Sequence, residues 1–472
     1  MLIRQNTHAF IRFWNSMAYI ESQVNHVSRI YSGKEKDFIL SLSRQPQDLD
    51  DIINNLAAKH VHFDLEDLNA FIKELERLWL IVSGESEDEL RNKEKSFSYA
   101  ELDAVRNAFA ADQQIVEIST KEAPWLRSLQ LEVTSLCNEK CIHCYIPSET
   151  KDYGSMMPVE QVKSVIDQFA ELSGLRIILS GGEVLIHKHV IEILEYCREK
   201  DLMIFILSNL TLMNDETLKI IKNLNVFNIQ VSLYSMDESV HDNITKVKGS
   251  WKKTKRNLET LVANDIRVTI SCPILKQNYK GYKELFEYAQ SLNIFCYVDY
   301  VLLAQSDLCT NNLCTRMTME QTEELLDAIL DNDPKYHQKI NAITSETDLD
   351  TMPFGQRFNS CEVLRSTICM TVDGNIYPCP GWQGMVVGNI YEQSLKYIWF
   401  ESPRVIELRN VDKNSFKKCK KCGLKNYCDM CLVYNFNENN GDIYEVSTRF
   451  CDNAKSLKTK IKQRYKLIQE GQ

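Results

Sequence analysis

Residues 129–144 read Leu-Gln-Leu-Glu-Val-Thr-Ser-Leu-Cys-Asn-Glu-Lys-Cys-Ile-His-Cys, so Cys137, Cys141 and Cys144 follow directly on a strand-like run, Leu129–Thr134. Three thiolates on one short loop can hold three irons of a four-iron cluster and leave the fourth open, and an open coordination position is what a catalytic metal centre needs. Two other readings stay open here, a structural zinc site and three incidental buried thiols. Zinc favours four ligands in Cys-x-x-Cys pairs, which gaps of three and then two residues do not supply.

Outward from this loop, Ser128 to about Leu330 alternates strands and helices. Strand-like runs are Leu129–Thr134, Arg176–Gly181, Met203–Asn209, Asn228–Tyr234, Arg267–Pro273 and Phe295–Val301. Between them Val159–Leu172, His187–Glu199, Asp215–Leu224, Lys252–Val262 and Tyr282–Leu292 have helical periodicity. Repeated strand–helix units imply a parallel sheet with helices outside. Six of them make an α/β fold, an open, partial (β/α)6 version of the eight-fold barrel, with chemistry at the C-terminal strand ends. Polar residues fall at those ends: Ser180-Gly181-Gly182-Glu183 on the second strand, Ser208-Asn209 on the third, Ser232 and Tyr234 on the fourth. Glycines let a backbone approach a ligand closely, and Glu183 can pair with an ammonium. A Gly-Gly turn and strand-end hydroxyls also serve simple turns and local hydrogen bonds.

Taken together, the spacing of Cys137, Cys141 and Cys144, the Cys144-Tyr145 pair and Gly181-Gly182-Glu183 resemble the signature of the radical S-adenosylmethionine (radical SAM) family. The resemblance implies a 4Fe–4S cluster on the three cysteines, whose open iron chelates the amino and carboxylate groups of S-adenosylmethionine. An electron passed into the sulfonium then releases a 5′-deoxyadenosyl radical that removes an unactivated hydrogen atom. It implies further that Gly181, Gly182 and Glu183 contact the methionine amino group, and that Ser208, Asn209, Ser232 and Tyr145 belong to the cofactor site. His143 stands where the family often has an aromatic residue, and is expected to pack against the cluster without ligating it.

From about Asp331 the strand–helix rhythm is lost. The region reads as short segments with little apolar material for a core, held together by metal. Cys361 and Cys379 precede Cys419-x-x-Cys422-x5-Cys428-x-x-Cys431 and then Cys451. Two Cys-x-x-Cys pairs also suit tetrahedral zinc. Behind the radical SAM signature, with Gly374 and Pro378-Cys379, the pattern resembles the SPASM domain and its two auxiliary 4Fe–4S clusters. By that resemblance Cys419, Cys422, Cys428 and Cys451 hold one cluster, and Cys361, Cys379 and Cys431 hold the other. The last pair has two intervening residues where the family has three, and no cysteine stands near Gly355. The second cluster is therefore left with an open iron or borrows Cys369, Cys309 or Cys314. Cys197, Cys272 and Cys296 have no partner spacing and read as buried apolar residues.

Residues 1–95 hold no clustered cysteine. Ala9–Trp14 and Met17–Tyr31 read as short strands, and helical periodicity runs from Phe38 through Leu78 to a stop at Leu80-Ile81-Val82, with an acidic tract, Glu85–Glu89, as a linker. Three short strands followed by three helices give a winged-helix-like domain that resembles the PqqD-like peptide-recognition domain, which binds the leader of a ribosomally made peptide by adding it to a sheet edge. A DNA-reading winged helix is the rival. Its phosphate contacts need positive charge, and residues 1–95 carry 12 basic against 16 acidic residues. The expected domains are thus 1–95 for leader recognition, 96–125 as linker, 126–330 as radical SAM core and 331–472 as SPASM domain.

The net charge of −10 over 472 residues argues against nucleic acid as a partner. No run approaches the apolar length of a membrane helix, and no export signal is read at the N-terminus, which leaves the cytoplasm and no membrane partner. In that compartment sixteen cysteines stay reduced, and ten of them fall into ligand-like groups. The order of the three regions is typical of enzymes that mature ribosomally synthesised peptides. The resemblance implies a precursor peptide bound through its leader, presented at the barrel mouth and oxidatively crosslinked, with a cysteine thioether favoured. A flavodoxin or ferredoxin is implied as electron donor, and an auxiliary cluster takes the surplus electron. Carbon–carbon or carbon–oxygen crosslinking, peptide epimerisation and sulfatase formylglycine maturation are the alternative reactions, and a non-enzymatic electron carrier or scaffold is the alternative class.

Overall fold

The computed structural model describes residues 1–23, 27–95, 123–355, 361 and 363–470. The chain opens with β1 (Leu2–Gln5), β2 (Ala9–Trp14), β3 (Met17–Ser22) and β4 (Ser28–Tyr31). Asn15 and Ser16 both take positive φ, 46° and 63°, which is the two-residue turn whose twist matches a β2–β3 hairpin. Then come α1 (Gly33–Ser41), β5 (Gln47–Asp48), α2 (Leu49–Ala58) and α3 (Leu65–Arg77), with Asp48 and Asp64 side chains capping the N–H groups of α2 and α3. β6 (Ile81–Gly84) returns antiparallel to β1, and α4 (Glu87–Lys95) follows.

The three strands expected before the helices are β2, β3 and β4. Two sequence expectations change here. Leu80-Ile81-Val82 leads into a strand instead of ending a helix, because β1 offers a pairing edge and both Ile81 and Val82 are buried against it. The acidic tract runs into α4, where Arg91 and Lys93 lie one turn from Glu87 and Glu89. The expected linker falls almost wholly outside the described residues.

The central sheet has nine strands among the described residues. β7 (Ser128–Thr134), β8 (Arg176–Gly181), β9 (Met203–Ser208), β10 (Asn228–Ser232), β11 (Val268–Pro273) and β12 (Phe295–Asp299) pair in sequence order, all parallel. Leu129, Leu131, Ile177, Leu179, Ile204, Ile206, Ile229, Val231, Val268 and Ile270 are buried, since helices cover the outside of such a sheet. On the far side of β7, β13 (Thr367–Met370) pairs parallel to it, followed antiparallel by β14 (Asn375–Tyr377) and β15 (Gly388–Asn389). The sheet therefore continues from the six parallel strands into the cysteine-rich region.

That region is not poor in core material. Trp382, Trp399, Phe416, Tyr427 and Phe450 are all fully buried, and the helix Thr448–Glu470 adds Leu457 and Ile461. The expectation of little apolar material there is corrected. These apolar residues lie at irregular intervals and carry no period to read.

The N-terminal unit docks on one end of the barrel. Arg12 Nε donates to Gly174 O at 2.7 Å, and Arg12 and Arg44 both pair with Asp201. Gln23 Nε2 donates to Asn225 O at 3.0 Å, and Glu21 pairs with Arg176. Trp14 stacks between Trp125 and Phe400, with centroids 6.1 and 6.4 Å away. Gly174, Asp201 and Asn225 immediately precede β8, β9 and β10, so this unit covers the N-terminal strand ends, opposite the cysteine loop. Asp201→Ala leaves two partly buried guanidinium groups without their carboxylate, a loss of about 2–4 kcal/mol at the docking surface. Calorimetry is expected to resolve a lower-temperature transition for residues 1–95 in this variant, while the barrel transition stays in place.

Candidate functional site

The loop Cys137–Cys144 is held by its own backbone from three sides. Gly182 N donates to Thr134 O and Glu183 N to Leu136 O, both at 2.8 Å, which ties the end of β8 to the start of the loop. Lys140 N and Ile142 N donate to Thr245 O and Ile244 O at 2.9 and 3.0 Å. Those carbonyls end the helix Glu238–Thr245, where a helix offers no further N–H of its own to accept from. Ser306 N donates to Tyr145 O at 2.9 Å, and Asn312 Nδ2 to His143 O at 3.3 Å.

The two glycines have a structural reason beyond ligand approach. Gly181 takes φ +141°, and a Cβ there would lie 2.0 Å from Thr134 O. A Cβ on Gly182 would lie 2.2 Å from Leu136 O. Backbone cannot yield as a side chain does, so any larger residue pushes the cysteine loop off the sheet.

Glu183 is buried, and its carboxylate accepts from Ser208 Oγ at 2.7 Å, Leu185 N at 3.0 Å and Asn209 N at 2.7 Å. Burial pushes its pKa up in spite of these donors. Asn209 Nδ2 donates to Asn138 Oδ1 at 3.0 Å, so the third strand end is knitted to the loop between Cys137 and Glu139. Ser208 and Asn209 thus fix Glu183 and the loop together. Ser232 hydrogen-bonds the Tyr234 side chain.

The loop thiols act on one another. Burial lifts the Cys137 pKa to about 12, with Glu183 and Cys144 adding to it, and lifts Cys141 well up, with Glu139 and Cys144 adding. His143 packs edge-on to Tyr234 at 4.8 Å, and burial lowers its pKa to about 3. Tyr145 donates its hydroxyl to Glu132 Oε1 at 3.2 Å.

The C-terminal thiols form two groups. Cys379 is raised first by burial and then by Cys431 and Cys361. Cys428 is raised to about 11 by burial, with Cys451 and Cys419 contributing, and Cys451 in turn feels Cys422. Cys379 thus lies within electrostatic reach of Cys431 and Cys361, and Cys428 within reach of Cys419 and Cys451. Of the candidate extra ligands, buried Cys369 is the one that feels Cys379, whereas Cys309 and Cys314 lie on the segment tied to the first loop. At Gly355 a Cβ would meet Tyr427 C at 2.6 Å and Cys428 N at 2.9 Å, so a cysteine does not fit there. Cys197, Cys272 and Cys296 are buried, as expected.

Sequence reasoning missed Glu132. It is 4 % exposed, beside a register shift between Glu132 and Thr134, and accepts from both Tyr145 and Gln383 Nε2, the latter at 3.2 Å. Burial pushes its pKa to about 7, although both donors pull it down. In the sequence Glu132 alternates with Gln130 and Thr134 as a solvent-facing strand residue does, so no signal marked it.

Among the described residues no three His, Cys, Asp or Glu side chains come close enough to hold a single ion. The donor set fits a cluster: three soft sulfur ligands on one loop, with the buried carboxylate of Glu183 fixed beside them. Among the described residues no helix is long and apolar enough to cross a membrane.

Comparison with known proteins agrees with this geometry. The radical SAM superfamily matches residues 131–289, and the SPASM iron–sulfur cluster-binding domain matches residues 361–423. The antilisterial bacteriocin subtilosin biosynthesis protein AlbA of Bacillus subtilis is 26% identical over 337 residues, 70% of this chain and 72% of that protein. An AdoMet-dependent heme synthase of Methanosarcina barkeri is 25% identical over 327 residues, 66% of this chain and 93% of its own. The crystal structure of Streptococcus suis SuiB bound to precursor peptide SuiA shares the fold, with TM-score 0.60 at 15% identity over 91% of this chain and 96% of that one. The cofactors that go with these domains are S-adenosylmethionine and 4Fe–4S clusters. One match spans the three-cysteine loop and the Gly-Gly-Glu turn and the other spans Cys361, Cys379, Cys419 and Cys422, so the chain carries a radical SAM domain over residues 131–289 and a SPASM iron–sulfur domain over residues 361–423.

Proposed function

We propose that this enzyme closes an oxidative crosslink in a ribosomally made peptide, with a cysteine thioether as the favoured product. The observation that carries the reading is the meeting at Glu132. Tyr145, next to Cys144, and Gln383, four residues beyond Cys379, hydrogen-bond the same carboxylate, so the segments that carry these two thiols meet at one buried side chain. Two relatives favour a peptide: AlbA is named for bacteriocin biosynthesis, and SuiB was crystallised with its precursor peptide. A porphyrin substrate is the second reading, since haem synthase is among the relatives. That match covers 66% of this chain, whereas the fold likeness to SuiB covers 91%.

Residues 1–95 supply a plausible peptide seat in the PqqD-like manner. β4 is an outer strand of the β2–β3–β4 sheet and among the described residues pairs with β3 alone, with its Tyr31 packed against Phe71 of α3. A peptide laid on that edge gains backbone hydrogen bonds. This unit and the cysteine loop lie at opposite ends of strands about 20 Å long, so the peptide needs roughly six or more extended residues between leader and reacting residue.

In the reaction, Cys137, Cys141 and Cys144 hold the cluster, and Glu183, kept rigid by Ser208 and Asn209, receives the methionine ammonium, with Gly181, Gly182, Ser232 and Tyr145 completing the cofactor site. When bound, cluster and S-adenosylmethionine supply a carbon-centred radical that takes one hydrogen atom from the peptide. Joining sulfur to that carbon releases a proton and an electron, and Glu132, with a pKa of about 7, is poised to accept the proton. The two C-terminal sets, Cys361, Cys379 and Cys431 and Cys419, Cys422, Cys428 and Cys451, are assigned to auxiliary clusters. The electron donor is assigned to a small flavodoxin or ferredoxin, and the enzyme to the cytoplasm.

The peptide encoded beside this protein, incubated anaerobically with enzyme, S-adenosylmethionine and reductant, is expected to lose two hydrogens per event. The same peptide without its leader is expected to react at least tenfold more slowly. Unchanged mass with deuterium uptake from heavy water means epimerisation, and a modified porphyrin with an untouched peptide supports the second reading.

Glu132→Gln gives a separate check. Because its folded pKa is raised, Glu132 costs no stability below its ordinary pKa of 4.5, and the cost grows until pH passes about 7, reaching about 3 kcal/mol. Glu132→Gln is therefore expected to melt higher than wild type at pH 8 but alike near pH 4.5, while turnover falls. A variant with full turnover removes Glu132 from the mechanism.

A further inference from the structure

Each of the three loop thiols meets a hydrogen-bond donor, and two of those donors come from outside the loop. Cys137 Sγ accepts from Glu139 N at 3.4 Å. Cys141 Sγ lies 3.8 Å from the Tyr234 hydroxyl, and the Cys144 thiol is hydrogen-bonded to Lys151. The Tyr234 ring is pinned between His143, edge-on at 4.8 Å, and His241, stacked at 5.3 Å. His241 Nδ1 in turn accepts from Tyr234 N at 3.2 Å. The hydroxyl is thereby aimed at the loop.

Lys151 lies on the helix Ser148–Asp152 and is 3 % exposed. A buried ammonium is costly unless negative charge faces it. Here Cys144, to which Lys151 is hydrogen-bonded, and beyond it Cys141 and Cys137 face the ammonium, and as iron ligands these sulfurs carry the negative charge. Glu139 is within electrostatic reach as well. Once the sulfurs bind iron they carry no proton, so the hydroxyl and the ammonium must be the donors. Hydrogen bonds to cluster sulfurs and a nearby positive charge both favour the reduced, more negative state.

We propose that Lys151, through Cys144, and Tyr234, through Cys141, raise the reduction potential of the cluster on this loop, with Lys151 the stronger because it brings a whole charge. The proposal rests on the three-cysteine ligation given under the function above. Both are positioning residues, acting through the cysteines.

The test is a redox titration of reconstituted full-length enzyme, followed by electron paramagnetic resonance through the signal that changes when S-adenosylmethionine is added. Lys151→Met and Tyr234→Phe each shift the midpoint to lower potential, Lys151→Met further, and Lys151→Arg returns it toward wild type. Both variants at normal iron content with the wild-type midpoint overturn the proposal. If Lys151→Met loses the signal while Lys151→Arg keeps it, the positive charge is needed even to hold the cluster, which supports the assignment of Lys151, and Tyr234→Phe then decides the hydroxyl. A wild type with no signal responsive to S-adenosylmethionine overturns the ligation itself, and with it the proposal.

Discussion

Backbone hydrogen bonds to the segment Thr134–Ile142 are the constraint on which the rest of the molecule depends. The end of β8 reaches it through Gly182 and Glu183, and the last turn of the helix Glu238–Thr245 accepts from Lys140 and Ile142. Neither contact leaves room for freedom, because the glycines lie against carbonyl oxygens where a Cβ would collide. Three thiols on such a loop are placed before any metal arrives, so ligand binding need not pay to order them. The same fixation aligns Glu183 with Ser208 and Asn209, and brings Tyr145 to Glu132.

The two ends of the barrel divide the work. The N-terminal strand ends carry an electrostatic and aromatic seam to residues 1–95, centred on Asp201 and Trp14. The C-terminal strand ends carry the chemistry. Between them runs a sheet that continues through β13 into the region of the second thiol group, so the cysteine-rich region is built on the barrel wall rather than tethered to it. Gln383 meeting Glu132 is the visible result.

The barrel was legible because its strands are buried runs of Leu, Ile and Val bounded by turn residues, and the six read from sequence agree with β7–β12 to within two residues at each end. The thiol groups were legible because ligand spacing is local. What could not be read is either short or relational. β1 has four residues, half of them polar, and becomes a strand because β5 and β6 pair with it. The eight-residue helix Glu238–Thr245 is too short for its period to stand out. Lys151 and Glu132 look like ordinary surface charges in one dimension, and only the fold places them against thiols and Tyr145.

The most direct test of the account is the iron content of the purified, reconstituted enzyme beside the triple variant Cys137→Ala, Cys141→Ala, Cys144→Ala, with 5′-deoxyadenosine measured in both. The account predicts that the variant loses about four irons per chain, keeps those on the C-terminal cysteines, and forms no 5′-deoxyadenosine. A variant with undiminished iron, or one that still cleaves S-adenosylmethionine reductively, would contradict it.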